Sequence, residues 1–188
     1  IDPNNSFWDN ADQFSPQTVE LNPQMITNPK WPDPSVKSVK IRGAQNGSEI
    51  GFLLEWDDSS LENKIEVSAT HTDQAALMFP LYSGDELPSI TMGSENEIVN
   101  IWQWRALWEP SLSANSRKRH NGSLVRGRIN RPLRSPVEDL TAAGYSTLTT
   151  QEEQDVHGHG TWQNKTWRVV FKRALMNSDN ADIQFKNS

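Results

Sequence analysis

The sequence predicts an all-β fold, and three observations lead to it. Runs with a period of two recur along the chain: Ile50, Phe52, Leu54 and Trp56 share one face, and Trp167, Val169 and Phe171 share another. Turn signals sit before or between such runs, at Gln45-Asn46-Gly47 and at Asn164-Lys165. Little of the chain has a helical period, and no unit of roughly 20–50 residues repeats, which argues against solenoids and propellers. The architecture these observations imply is a β-sandwich.

At 188 residues the chain has the length of one domain. A mean hydropathy of -0.71 places it on the polar side, and no apolar run approaches the roughly 20 residues of a membrane helix. There is no cysteine, which excludes a disulfide, a thiolate metal site, an iron–sulfur cluster and a covalently attached haem. The first residue is Ile1 rather than Met, as expected of a cleaved export signal or of a shortened sequence. Eight tryptophans against two tyrosines fit a cofactor pocket and a Trp-rich β core equally well.

Taken in order, residues 1–35 read as an extended arm. Pro3, Pro16, Pro23, Pro29, Pro32 and Pro34 prevent a long helix, while Phe7, Trp8, Phe14 and Trp31 offer anchors for docking on another surface or on the chain's own domain. From residue 36 the texture is β. Val39 and Ile41 alternate with Lys40 and Arg42, and the Ile50–Trp56 strand ends at Asp57-Asp58-Ser59-Ser60. Ile65 and Val67 predict a short strand, and Ala75 to Phe79 continues the sheet.

A loop from Ser83 to Asn96 follows, punctuated by Gly84, Pro88 and Gly93. The strand after it carries Val99, Ile101 and Gln103 on one face and Asn100, Trp102 and Trp104 on the other. Between Glu109 and Glu138 there is no acid, but Arg117, Lys118, Arg119, Arg126, Arg128, Arg131 and Arg134. No aromatic residues are interleaved with them, which argues against nucleic acid. Docking of an acidic partner and a solvated insertion both remain open.

Ser135-Pro136-Val137-Glu138-Asp139 predicts the start of a short helix ending near Gly144. Thr147 to Gln151 is β-prone. His157-Gly158-His159 reads as a loop, and a His-x-His pair binds zinc or copper only with further ligands. In the last strand Arg168, Val170 and Lys172 oppose the apolar face, and a polar stretch from Asn177 to Asp182 follows.

No Gly-x-Ser-x-Gly, P-loop, His-Glu-x-x-His or dinucleotide fingerprint is present. Adjacent carboxylates such as Asp57, Asp58, Glu152 and Glu153 belong to solvated turns. Met92 is the residue that invites chemistry. A thioether on a glycine-hinged loop beside aromatic residues is a soft donor suited to iron, although methionine near aromatics also serves as core filler. Met78, inside an apolar run, competes with it.

Four segments are similar to one known family: Ala-Leu-Met-Phe-Pro at 76–80, Thr-Met-Gly at 91–93, Val-Asn-Ile-Trp-Gln-Trp at 99–104 and SPVEDLTAAGYSTLTTQ at 135–151. They resemble the haem b-binding gamma subunits of dimethyl sulfoxide reductase-family molybdenum enzymes. Ethylbenzene dehydrogenase, selenate, chlorate and nitrate reductases and nitrite oxidoreductase belong to that group, and the last segment is most similar to the nitrite oxidoreductase and nitrate reductase branch. The resemblance spans roughly residues 36–186. It implies an immunoglobulin-like β-sandwich over 36–188, with C-terminal strands beyond it, similar to the cytochrome domain of cellobiose dehydrogenase.

By the same resemblance the domain holds one non-covalent haem b. Met92 would be an axial ligand of the iron, and Phe79 and Trp104, with Trp102, would be candidates for the pocket wall. The family's second ligand is a lysine expected beyond Ser188, or a histidine in related cytochromes. Lys172 and Lys186 are fallbacks, and His157 and His159 are rivals.

The implied role is non-catalytic. Electrons would pass between an iron–sulfur beta subunit and an external cytochrome c, with molybdopterin in a separate alpha subunit, in the periplasm or an equivalent exported compartment. No contact with nucleic acid and no membrane span is expected. The residues alone leave two other readings open, a Trp-lined carbohydrate- or ligand-binding module and a haem-free docking subunit.

Overall fold

Nine antiparallel strands build two sheets from the described residues, which in this computed structural model are 2–10, 14–26, 28–64, 71–82, 86–109 and 135–185. The strands are β1 (Gln17–Glu20), β2 (Ser38–Gln45), β3 (Glu49–Asp57), β4 (Gln74–Pro80), β5 (Val99–Arg105), β6 (Val137–Ala142), β7 (Thr149–Thr150), β8 (His157–Gln163) and β9 (Thr166–Ala174). One sheet has the order β1-β2-β3-β9-β8 and the other β4-β5-β6-β7. The all-β sandwich expected from the alternation is the observed architecture. The expected strand at Ile65 and Val67 and the arginine-rich stretch fall outside the described residues.

Alternation does most of the building. Leu54 and Trp56 of β3 and Trp167, Val169 and Phe171 of β9 face Trp102 and Trp104 of β5 and Val137 of β6 across the sandwich. The tightest turns fall where the sequence placed them, with Gly47 at φ +87 and Asn164 and Lys165 also at positive φ. The core divides into two aromatic groups. Trp104 meets Trp167 edge-on at 4.8 Å, and Trp56 lies within 6.3 Å of both. Phe79, Trp102, Phe52 and Phe185 form the second group. Such ring pairs add about 0.5–1.5 kcal/mol each beyond their burial.

The N-terminal segment packs on the outer side of the five-stranded sheet. Trp8 lies with Leu53 and Val170, and its ring fits over Gly51, while Gln17–Glu20 adds β1 to the edge beside β2. Val170, expected on the solvent face with Arg168 and Lys172, is therefore fully buried.

Two local expectations are corrected. The stretch expected to start a helix at Ser135 is strand β6, because pairing with β5 along Val99–Trp104 outweighs the local helix-start signal. Ser135 caps no helix; its Oγ instead accepts the N–H of Gly158, 3.0 Å away on the opposite sheet. His157-Gly158-His159-Gly160, expected as a loop, opens β8. Its glycines occupy the inward positions where the sheets touch. A Cβ on Gly158 would lie 2.4 Å from Val137 Cγ2, and one on Gly160 would lie 2.4 Å from the Trp104 ring.

One carboxylate locks that contact. Glu109 is fully buried just after the Ala106–Trp108 3-10 turn. Its Oε1 accepts Trp104 Nε1 and the N–H of Gly160, each at 2.6 Å, and its Oε2 lies 2.8 Å from His159 Nδ1. The Glu109 hydrogen bond, reinforced by that carboxylate's charge and by Asp2, raises the His159 pKa above its ordinary value against the opposing effect of burial.

Two outcomes follow. Gly160→Ala drives a methyl group into Trp104, and β8 cannot retreat without losing the Glu109 bond. Urea unfolding should show a loss of about 1–3 kcal/mol. For His159, the raised folded-state pKa means that the pairing stabilises fully below the ordinary imidazole value of about 6.5 and fades as pH rises through the higher folded value. The advantage of the unaltered chain over His159→Gln in urea midpoint should shrink as pH rises from about 6.5 through the higher folded value. A constant advantage across that window would show that no ion pair forms.

Candidate cofactor site

Met92 stands on a short loop whose backbone is fixed at several points. The Gly93 N–H donates to Ser89 O at 2.9 Å, and Ser94 and Glu97 bridge in antiparallel fashion. Ser89 Oγ and Thr91 Oγ1 are 2.8 Å apart, and the Ser89 N–H reaches Glu97 Oε2. Met92 and Gly93 are both left-handed, at φ +67 and +76. Gly93 is required, since a Cβ there would lie 2.0 Å from Glu97 O. Met92 has no such licence, and a non-glycine residue in this region costs about 1–2 kcal/mol. The loop bears that cost because the Gly144 N–H holds the Met92 carbonyl at 2.9 Å.

The side chain of Met92 packs on the outer face of the four-stranded sheet. There it joins Met78, Val99, Ile101, Leu140, Ala142 and Leu148. This face is apolar although it lies outside the sandwich core. The same loop exposes Leu87 at 90% and Ile90 at 78%, so apolar surface continues from the cluster toward solvent. Met92 and Met78 thus bring two thioethers to one apolar sheet face, Met92 from a left-handed backbone.

The structure separates the residues that the family resemblance groups together. Phe79 and Trp104 face the inner core, with Trp102, on the opposite face of the sheet from Met92. Trp104 is bound to Glu109, and Phe79 packs 4.8 Å from Trp102. Met78, the competing thioether, shares the Met92 cluster.

Two of the residues weighed as a second ligand, Lys172 and His159, are engaged elsewhere. Lys172 Nζ pairs with Glu49 at 2.5 Å, and His159 is bound to Glu109. His157, also on β8, is exposed, and Lys186 lies outside the described residues. Of the sulfur and nitrogen groups weighed as ligands, Met92 is the one on a turn at the apolar outer face.

Sequence reasoning missed Gly144, which it placed at the end of a helix. The turn signal of Ala-Ala-Gly-Tyr was legible, but its partner, the Met92 carbonyl 52 positions earlier in the numbering, was not. The tryptophans do not form stacking platforms. Trp8, Trp56, Trp102, Trp104, Trp108 and Trp167 are buried, and Trp162 is half-buried, leaving Trp31 exposed.

A Haloferax mediterranei protein, provisionally named a respiratory nitrate reductase heme subunit, is 26% identical over 151 residues, which is 80% of this chain. The chain spans less than half of that relative, 44% of its length. The family model described as ethylbenzene dehydrogenase matches residues 5–124, more than half of the sequence and including both the Met92 loop and β5. This chain therefore belongs to the ethylbenzene dehydrogenase family.

Proposed function

We propose that this chain is the haem-carrying electron-transfer part of a molybdenum oxidoreductase complex of the nitrate reductase or nitrite oxidoreductase kind, with Met92 as an axial ligand. The observation that carries the reading is the strained Met92 backbone, fixed by Gly93 and Gly144 on an apolar sheet face. The name of the Haloferax relative supports it.

When bound, the haem supplies one-electron transfer. The chain holds it, keeps water from one side and biases its potential. Thioether ligation favours the reduced state and a higher potential, which suits exchange with a cytochrome c. With no cysteine to attach it, the haem would be held non-covalently, and the family resemblance implies one haem b. Met78, Val99 and Leu140 form the bed on which Met92 rests. Phe79 and Trp104 act through the sheet by fixing β4 and β5 from the inner face. In this reading the chemistry on substrate belongs to a molybdopterin subunit, electrons travel by way of an iron–sulfur subunit, and the complex works in an exported compartment. A second ligand would be the lysine that the resemblance expects beyond Ser188.

The test is an oxidised-minus-reduced visible spectrum with pyridine haemochrome analysis on protein purified with its partners. The expected result is a stoichiometric b-type signature. In Met92→Ala it should lose its low-spin character and shift to lower potential, whereas Met78→Ala should leave the ligation intact. Absence of haem from the purified complex would overturn the reading in favour of a docking subunit.

A further inference from the structure

Part of the sandwich core is filled by carboxylates rather than apolar groups. Asp139 lies on β6, Asp155 just before β8, and Asp182 in the segment after β9, and each offers an oxygen within 4.8 Å of the others. Asp139 and Asp182 are 1% and 4% exposed. The cation packed with them is Arg173, itself buried, with Nη1 3.2 Å from Asp182 Oδ2. Three carboxylates against one guanidinium leave two negative charges without a balance when all are ionised.

The hydrogen bonds in the same place are incomplete, and Arg173 Nη1, beside Asp182, is itself a buried donor without a hydrogen-bond partner. Asp139 Oδ1 takes the Asn100 amide at 2.6 Å, but Asp139 Oδ2 and Asp155 Oδ1 are buried and accept from no donor. Gln151 Nε2 has two hydrogens and four oxygens around it: Asp139 Oδ1, Ala181 O and Asp182 Oδ1 at 3.1 Å, and Leu140 O at 3.5 Å. Asn177 Nδ2 likewise serves two carboxylates, Asp155 Oδ2 at 2.7 Å and Asp182 Oδ2. A buried acceptor without a donor is costly, and two in one cluster call for a positive centre.

We propose that Asp139, Asp155 and Asp182 bind a hard divalent cation of the calcium class, which balances their excess charge and takes the two oxygens that no donor reaches. An all-oxygen set of carboxylates, with the carbonyls of Leu140 and Ala181 close by, suits calcium's tolerance of irregular coordination and offers nothing to soft metals.

Bound at this point, the cation ties the segment after β9 to β6. That segment delivers Phe185 to Phe79 and Trp102 and threads the Ile183 N–H to Asn100. The acidic group at Asp58, Glu62 and Asp73 does not compare. Its Asp73 carboxylate already accepts Glu62 N and Trp167 Nε1, and Glu62 is exposed enough to be solvated.

The inference does not depend on haem, and its test uses none. Calcium chloride is titrated calorimetrically into the chelator-treated chain, with thermal melting in parallel and magnesium chloride for comparison. The expected result is one calcium per chain, with an affinity in the roughly micromolar to sub-millimolar range. The melting temperature should rise with calcium, and magnesium should bind more weakly. Asp155→Asn, at the half-buried position where folding is least at risk, should remove most of the calcium-dependent rise. Two outcomes would overturn it. One is no heat and no rise with either ion while Asp139→Asn raises the melting temperature, which would show a cluster satisfied by a shared proton. The other is calcium binding unchanged in both variants, which would place the ion elsewhere.

Discussion

Strand β5 is buried on both faces from Val99 to Trp102, and that constraint organises the rest of the molecule. Trp102 and Trp104 fill the space between the sheets, while Val99 and Ile101 are covered on the outer side by Met78, Leu140 and the Met92 loop. A strand buried on both faces cannot be satisfied by a two-layer sandwich alone, because the second apolar face needs its own cover. In this chain the loop before β5 provides part of that cover. The proposed ligand, Met92, thereby rests on the most fixed element of the fold, where a ligand position must be held closely to be of use.

The inner contact is closed by electrostatics rather than by apolar packing. Burying Glu109 completely is tolerable only because its oxygens receive an indole N–H, a backbone N–H and an imidazole. All three donors are needed in one place, so the register of β8 against β5 is set by the carboxylate as well as by the side chains around it. The glycines of β8 then follow from sterics, since nothing larger fits between that strand and Val137 or Trp104. The contact fixes β5 from its inner side while the loop bearing Met92 presses on its outer side.

A second polar cluster lies in the same core. Asn100 links the Trp102 indole at 3.0 Å to Asp139, and through Asp139 to the carboxylates of the C-terminal segment. Polar groups at adjacent positions of one strand thus connect the aromatic core, β6 and the chain after β9. If the second axial ligand comes from that direction, the seating of the segment and the geometry of the cofactor are coupled through β5.

What the sequence by itself determined was everything that depends on neighbours along the chain. The period-two runs of β3, β5 and β9, the turns at Asn46-Gly47 and Asn164-Lys165, and the non-covalent nature of any cofactor were all legible. So was the loop hinge at Gly93, and with it Met92. The tertiary structure alone decided that Ser135–Asp139 leads into a strand, since the ladder with β5 outweighs a cap signal that spans only a few residues. It also decided that His157-Gly158-His159-Gly160 is a packed strand, that Met92 and Trp104 lie on opposite faces, and that Asp139, Asp155 and Asp182 converge. The physical reason is one of range. Periodicity reports which way a side chain points relative to its neighbours, whereas contacts such as Glu109 with His159, 50 residues apart, depend on register and on the approach of two sheets, which no local pattern encodes.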